Sequence, residues 1–240
     1  MQSLNGNETL EHRPVDHDMA SNRGALGAGI ESDDFGARLR SAVTLAWRLF
    51  ARKVGGGAIS VHKEASMQLQ YAYLLQQIAP MITFHEHERI SIFLESGFRL
   101  RGRNREIDVL LVGKSSTQEY RIAIEMKCYR TLAASGNPRG ATDIFMRDVY
   151  DDLQLLEHYV EDDLADEGIS LVMTDLTRLV QPRDKLAKCW AYDISHGARF
   201  GPSHFDVPIG GKPVAITLQR TYALDWLRAG DFWFLEAQGT

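Results

Sequence analysis

The sequence predicts an α/β domain with a mixed central β-sheet flanked by helices and a β-rich C-terminal elaboration. Two stretches with apolar residues at helical spacing, 34–53 and 60–78, precede two short apolar runs, 109–112 and 120–126, joined by a turn-rich segment. A third helical stretch, 143–163, leads into another buried run, 169–173, giving a strand–helix–strand crossover. With 240 residues, 44% apolar and 25% charged, the chain has the size and composition of one globular domain.

No run reaches the roughly 20 apolar residues of a membrane span, and the polar N-terminus has no signal-peptide core, so the expectation is a cytoplasmic protein without membrane contact. Two cysteines, Cys128 and Cys189, fit a reducing compartment and leave no disulfide scaffold or cysteine zinc site. The formal charge of −5 is uneven: residues 1–35 hold seven acids against Arg13 and Arg23, so the rest of the chain is neutral. That leaves room for a local basic channel, which is what binding of phosphates requires.

Residues 1–29 read as a flexible acidic tail, rich in Asn, Ser, Gly, Asp and His without apolar periodicity, ahead of a domain over 30–240. The first helix takes Asp33 or Asp34 as N-cap and carries Phe35, Leu39, Val43, Trp47 and Phe50, with Gly55-Gly56-Gly57 ending it. The second carries Met67, Tyr71, Leu74, Leu75 and Ile78, with Glu64 at the head of that stripe. His85-Glu86-His87-Glu88 reads as a solvated edge or loop rather than a metal-binding helix. A strand over 90–94 is broken by Glu95, Ser96 and Gly97. After a Ser/Gly/Pro loop at 131–140, the third helix contributes Ile144, Val149, Leu153, Leu156 and Val160 to the core. Residues 184–192 read as helical and 196–211 as loop, with closing strands at 213–218, 222–227 and 232–235.

The residues that point to chemistry lie in 105–130. Asp108 opens one buried strand and Glu125 closes the next, with Lys127 beside it. Strand alternation puts Arg121, Ala123, Glu125 and Lys127 on one face and Ile122, Ile124 and Met126 on the other. A hairpin brings Asp108 near Glu125. A lone buried carboxylate costs several kcal/mol, so these acids need a cation or strong donors. An acid-x-Lys pair is more often a surface ion pair, but both acids here sit in runs too apolar for a surface strand. Two carboxylates can hold a hard cation such as Mg²⁺, with Mn²⁺ substituting, and a lysine can orient water or stabilise developing charge.

At this point the sequence resembles the PD-(D/E)XK nuclease superfamily: Ile107-Asp108, sixteen residues, then Glu125-Met126-Lys127, with Ile107 where the proline of the eponymous pattern would stand. The resemblance implies a restriction-endonuclease-like fold over about 36–175, with 176–240 as elaboration, and metal-dependent endonucleolytic hydrolysis of nucleic acid, chiefly DNA, to 5′-phosphate products. It implies Asp108, Glu125 and the Met126 carbonyl as ligands of Mg²⁺, Lys127 acting on the attacking water, and Glu64 completing the metal shell. A RecB-like glutamine and tyrosine four apart are only partly matched by Gln154, since His158 stands at the tyrosine position and Tyr159 follows one step late.

For substrate contact the expectation is Arg99, Arg101, Arg103 and Arg105, which an extended chain would align on one face, with Gln154 as a weaker candidate. Ten acids against Arg147 over 143–167 suit a protein partner or a homodimer contact better than phosphate. The alternatives are a catalytically idle or partner-activated subunit that uses the fold for binding, and a hydrolase of small phosphate esters.

Overall fold

The computed structural model describes residues 27–133 and 135–240. Of the expected tail, 1–26 lie outside the described residues; 27–30 form one helical turn, and Ile30 packs on the core. Helix α1, Phe35–Gly55, starts at Asp34, whose carboxylate accepts from the Ala37 amide at 2.6 Å. Helix α2, Glu64–Ile78, begins later than its apolar pattern suggests. The Ser66 hydroxyl accepts from the His62 and Lys63 amides and donates to the Lys63 carbonyl, so the first turn is fixed at Glu64.

Strands β1 (Arg89–Leu100), β2 (Arg103–Lys114), β3 (Glu119–Tyr129), β4 (Glu167–Thr174), β9 (Leu227–Ala229) and β10 (Phe232–Ala237) form one mixed sheet in the order β1-β2-β3-β4-β10-β9. Only β3 and β4 are parallel, joined across helix α3, Thr142–Glu161. The short strands β5 (Ala198–Phe200), β6 (Ser203–Phe205), β7 (Ile216–Leu218) and β8 (Tyr222–Leu224) make two ribbons, β5-β8 and β6-β7. The sheet therefore draws on the far C-terminus: β10 pairs with β4, and 176–240 is not all elaboration. Within 184–192 the helical portion is a 3₁₀ turn, Lys188–Tyr192. No helix among the described residues is long and apolar enough to cross a membrane.

One face of the sheet buries Val109, Leu111, Ile122, Ile124, Met126, Ile169 and Leu171 against α1 and α2. The other packs on α3 and the C-terminal segment. Alternation along β3 is as the sequence predicts, with Ala123 toward α3 and Ile122 and Ile124 opposite. Helix α3 lies close to the sheet because Gly168 of β4 has no side chain: a Cβ there would come within 2.8 Å of Leu156 Cβ.

Strand β1 runs through Glu95 to Leu100 and is not broken there. Its pairing with β2 keeps one register on both sides of Glu95, which lies across from Asp108. Glu95 takes a left-handed backbone, φ 48°, which costs a non-glycine residue roughly 1–2 kcal/mol. At this point the strands exchange faces: Ile90 and Ile92 pack toward α1 and α2, but Phe98 and Leu100 toward α3. Likewise Ile107 faces α3 while Val109 and Leu111 face the other core.

A charged group closes the far side of the fold. Arg38 is fully buried and paired with Glu88, which also accepts from the Phe84 amide at 2.8 Å. Arg38 also donates to the Ile82 carbonyl at 2.9 Å and the Ser32 carbonyl at 2.7 Å, between the rings of Phe35 and Phe84. Residues 85–87 are exposed in a turn, His85 and His87 stacking, but Glu88 is a buried anchor rather than a solvated loop acid.

Candidate functional site

Strands β2 and β3 pair as far as Val109 and Ile124 and then part. Past the fork, the Met126 amide donates to Asp108 Oδ2 at 2.7 Å, so a carboxylate takes the place of a ladder carbonyl. The Asp108 carbonyl accepts from Gln68 Nε2 at 2.5 Å, which ties the fork to α2. Gln68 lies four residues beyond Glu64, on the same helix face.

Four carboxylates gather around Lys127. Glu125, 5% exposed, accepts from the Tyr159 hydroxyl at 2.8 Å. Glu64 Oε2 accepts from the Cys128 amide at 3.3 Å, and its Oε1 lies 3.7 Å from Lys127 Nζ. Asp152 of α3, 5% exposed, brings Oδ2 to 3.2 Å from the same ammonium, yet that oxygen has no hydrogen bond of acceptable geometry. Lys127 thus bridges α2 and α3 over the end of β3.

Burial and mutual repulsion raise every acid of the group. Burial raises Glu64, with the Asp108 charge adding to it and Lys127 offsetting it. Burial raises Asp108 against the Met126 hydrogen bond. Glu125 is pushed well up by burial, then by the charges of Asp152 and Asp108. Asp152 rises by burial, with Lys127 opposing. Burial alone would lower Lys127, but Asp152 first and Glu64 next overcome it, so the ammonium holds its proton more tightly than usual. One cation against four acids leaves the cluster short of positive charge.

Lys127 and Asp152 of the cluster line a cleft of 290 Å³ together with Arg105, Asp148, Asp151, Gln154 and Leu155, whereas Glu64, Asp108 and Glu125 are not among its lining residues. Arg105 is the arginine of the expected quartet that reaches it. The four do not share a face. Arg101 and Gly102, φ 46° and 81°, form a two-residue turn of the primed type, so β1 and β2 meet in a hairpin between Arg99 and Arg103. Arg101 is spent on Glu161 and Asp162, at 2.6 and 3.3 Å. Arg99 pairs with Asn104, one place off from Arg103, and so points to the opposite face from Arg103 and Arg105. Gln154 borders the cleft but its amide donates to the Thr217 carbonyl at 3.1 Å.

Among the described residues no three His, Cys, Asp or Glu side chains stand as a ready-made metal cage. The carboxylates of Glu64, Asp108 and Glu125, which share one ammonium with Asp152, are nonetheless oxygen donors of the kind a hard divalent ion takes.

Gln68 and Asp152 were not singled out from the sequence, and Tyr159 only as a tyrosine one step late of the RecB-like spacing. The signal lay in α3, where Asp152 and Tyr159 continue the buried stripe of Val149, Leu153 and Leu156. An acid inside such a stripe must meet a partner, and Lys127 is that partner. No family model, curated protein or solved structure matches the chain.

Proposed function

We propose that the chain is a metal-dependent nuclease of restriction-endonuclease-like architecture, hydrolysing phosphodiester bonds of nucleic acid, DNA first among them. The observation that carries the reading is the fork at Asp108, where Glu125 and Glu64 from two further elements meet it beside Lys127. Asp108, Glu125 and the Met126 carbonyl would hold Mg²⁺ or Mn²⁺, with Glu64 completing the set. The ion supplies positive charge that polarises a phosphoryl oxygen. Lys127, already protonated, acts as a fixed cation facing the charge that develops on the phosphate. It is not the group that takes the proton of the attacking water. Arg105 at the cleft mouth is the side chain that would hold a backbone phosphate of the substrate.

The test is cleavage of labelled single-stranded DNA, duplex DNA and RNA by wild type and Lys127→Ala, with Mg²⁺ or Mn²⁺ and with EDTA. The reading expects metal-dependent cleavage that the substitution abolishes; cleavage that persists in the variant overturns it. A second reading, an idle or partner-activated subunit, is favoured by one observation: Asp108 and Glu125 each already satisfy a protein donor, Met126 N and Tyr159 Oη. It expects inert protein under all these conditions that still binds nucleic acid or a protein partner.

A further inference from the structure

We propose that Asp152 is a positioning residue that holds the Lys127 ammonium on the α3 side of the cleft and keeps it from collapsing onto Glu64. Lys127 has two carboxylate neighbours at ion-pair range: Asp152 Oδ2 at 3.2 Å and Glu64 Oε1 at 3.7 Å. They are not equivalent. The Asp152 side chain is 7% exposed and Glu64 42%, so water screens the second pair far more than the first. Asp152 Oδ2 has no hydrogen bond to share its charge, so Lys127 is its whole compensation. Its place in α3 is fixed by Val149, Leu153 and Leu156 around it and by the close approach of Leu156 to Gly168. Tyr159, two turns on, holds Glu125 from the same helix.

A lysine stem has four rotatable bonds and no preferred end point of its own. Without Asp152 the ammonium has Glu64, Asp108 and Glu125 as its remaining partners, which are the carboxylates assigned above to the divalent ion. Neutralising them from within would remove both the metal's donors and the cation facing the phosphate. The role in turnover rests on the nuclease reading; the hold on Lys127 does not.

The experiment therefore has two arms, both on the full chain. In the first, the seven lysines are tagged by ¹³C reductive methylation, and the Lys127 resonance, identified by its loss in Lys127→Arg, is recorded at neutral pH without metal. Asp152→Asn, which keeps the shape and removes the charge, is expected to shift the Lys127 resonance, because the ammonium then leaves the α3 side for the remaining carboxylates. In the second arm, Mg²⁺-dependent cleavage of labelled DNA should lose about 10- to 100-fold in kcat with KM within about twofold. Asp152→Glu, which restores the charge, should recover most of both, and it serves as the reading should Asp152→Asn not fold.

An unchanged Lys127 resonance in Asp152→Asn overturns the proposal. So does a variant that melts earlier but retains wild-type kcat per folded molecule, since that is what a merely structural ion pair predicts. If the wild type cleaves nothing, the nuclease reading fails, and the resonance arm still decides whether Asp152 holds Lys127.

Discussion

Asp108 and Met126 are joined by a carboxylate-to-amide hydrogen bond of 2.7 Å at the point where β2 and β3 part. An edge created in the middle of a sheet normally leaves an amide without a partner; here an acid side chain satisfies it. Asp108→Asn preserves the size of the side chain and removes the charge. It is expected to lower kcat at least about 100-fold while leaving the fold intact. Nucleic-acid affinity measured in EDTA should stay the same or tighten, because a repulsive charge has gone. Cleavage assays paired with anisotropy titrations separate the two effects.

The pH dependence of stability follows from Glu125 and Asp152, whose carboxyls burial and like charge raise. A group with a raised folded pKa stabilises the fold fully below its unfolded value, about 4 for these acids, and that contribution is lost as pH rises through the folded value, about 7 for Asp152. Metal-free protein should accordingly lose stability from this cluster between weakly acid and neutral pH, and Asp152→Asn should lose less over the same range. On the proposed reading Mg²⁺ would bind the ionised carboxylates, so the rise in Tm it produces should be larger at pH 8 than at pH 5. Scanning calorimetry with and without Mg²⁺ measures both trends.

How far the site was legible depends on periodicity. The acid-x-Lys pair and the two-residue alternation of β3 can be read directly, because Ile122, Ile124 and Met126 must be buried together. The arginine run could not. An alternating pattern at 99–105 is compatible with one extended strand, and only the backbone choice at Arg101-Gly102 turns it into a hairpin. Asp152 was hidden for a different reason: on a helix rich in solvent-facing acids, its membership of the buried stripe shows only once the rotation of α3 against β3 is fixed. Glu88 shares that difficulty, since its partner Arg38 lies fifty residues away on α1.

That buried pair gives a prediction independent of function. Burial alone would raise the Glu88 carboxyl, but hydrogen bonds from the Phe84 amide and from Arg38, with the Arg38 charge, hold it below the usual range. Glu88→Gln leaves a guanidinium in the core without its counter-charge, which costs about 3–5 kcal/mol. Because the folded pKa is depressed, the stabilisation is present above the unfolded value of about 4.3 and is lost as pH falls through the folded one. Urea titrations should therefore show the gap between wild type and Glu88→Gln at pH 7 narrowing at strongly acid pH.

The hairpin separates two arginines that the sequence alone could not tell apart. Arg105 lines the cleft beside Lys127 and has no acid within ion-pair distance among the described residues, whereas Arg101 is held by Glu161 and Asp162 at the surface. A guanidinium already paired has less charge to offer a phosphate, and an exposed pair contributes at most about 1 kcal/mol to stability. Arg101→Ala should thus leave both kcat and KM near wild type and shift stability by no more than that amount. Arg105→Ala should weaken binding of every nucleic-acid substrate alike and reduce the dependence of affinity on salt by about one released counterion. Affinities measured across a salt series in EDTA separate phosphate contact from catalysis: an equal salt slope for Arg105→Ala and wild type would remove Arg105 from the substrate path and leave Lys127 as the cation of the cleft.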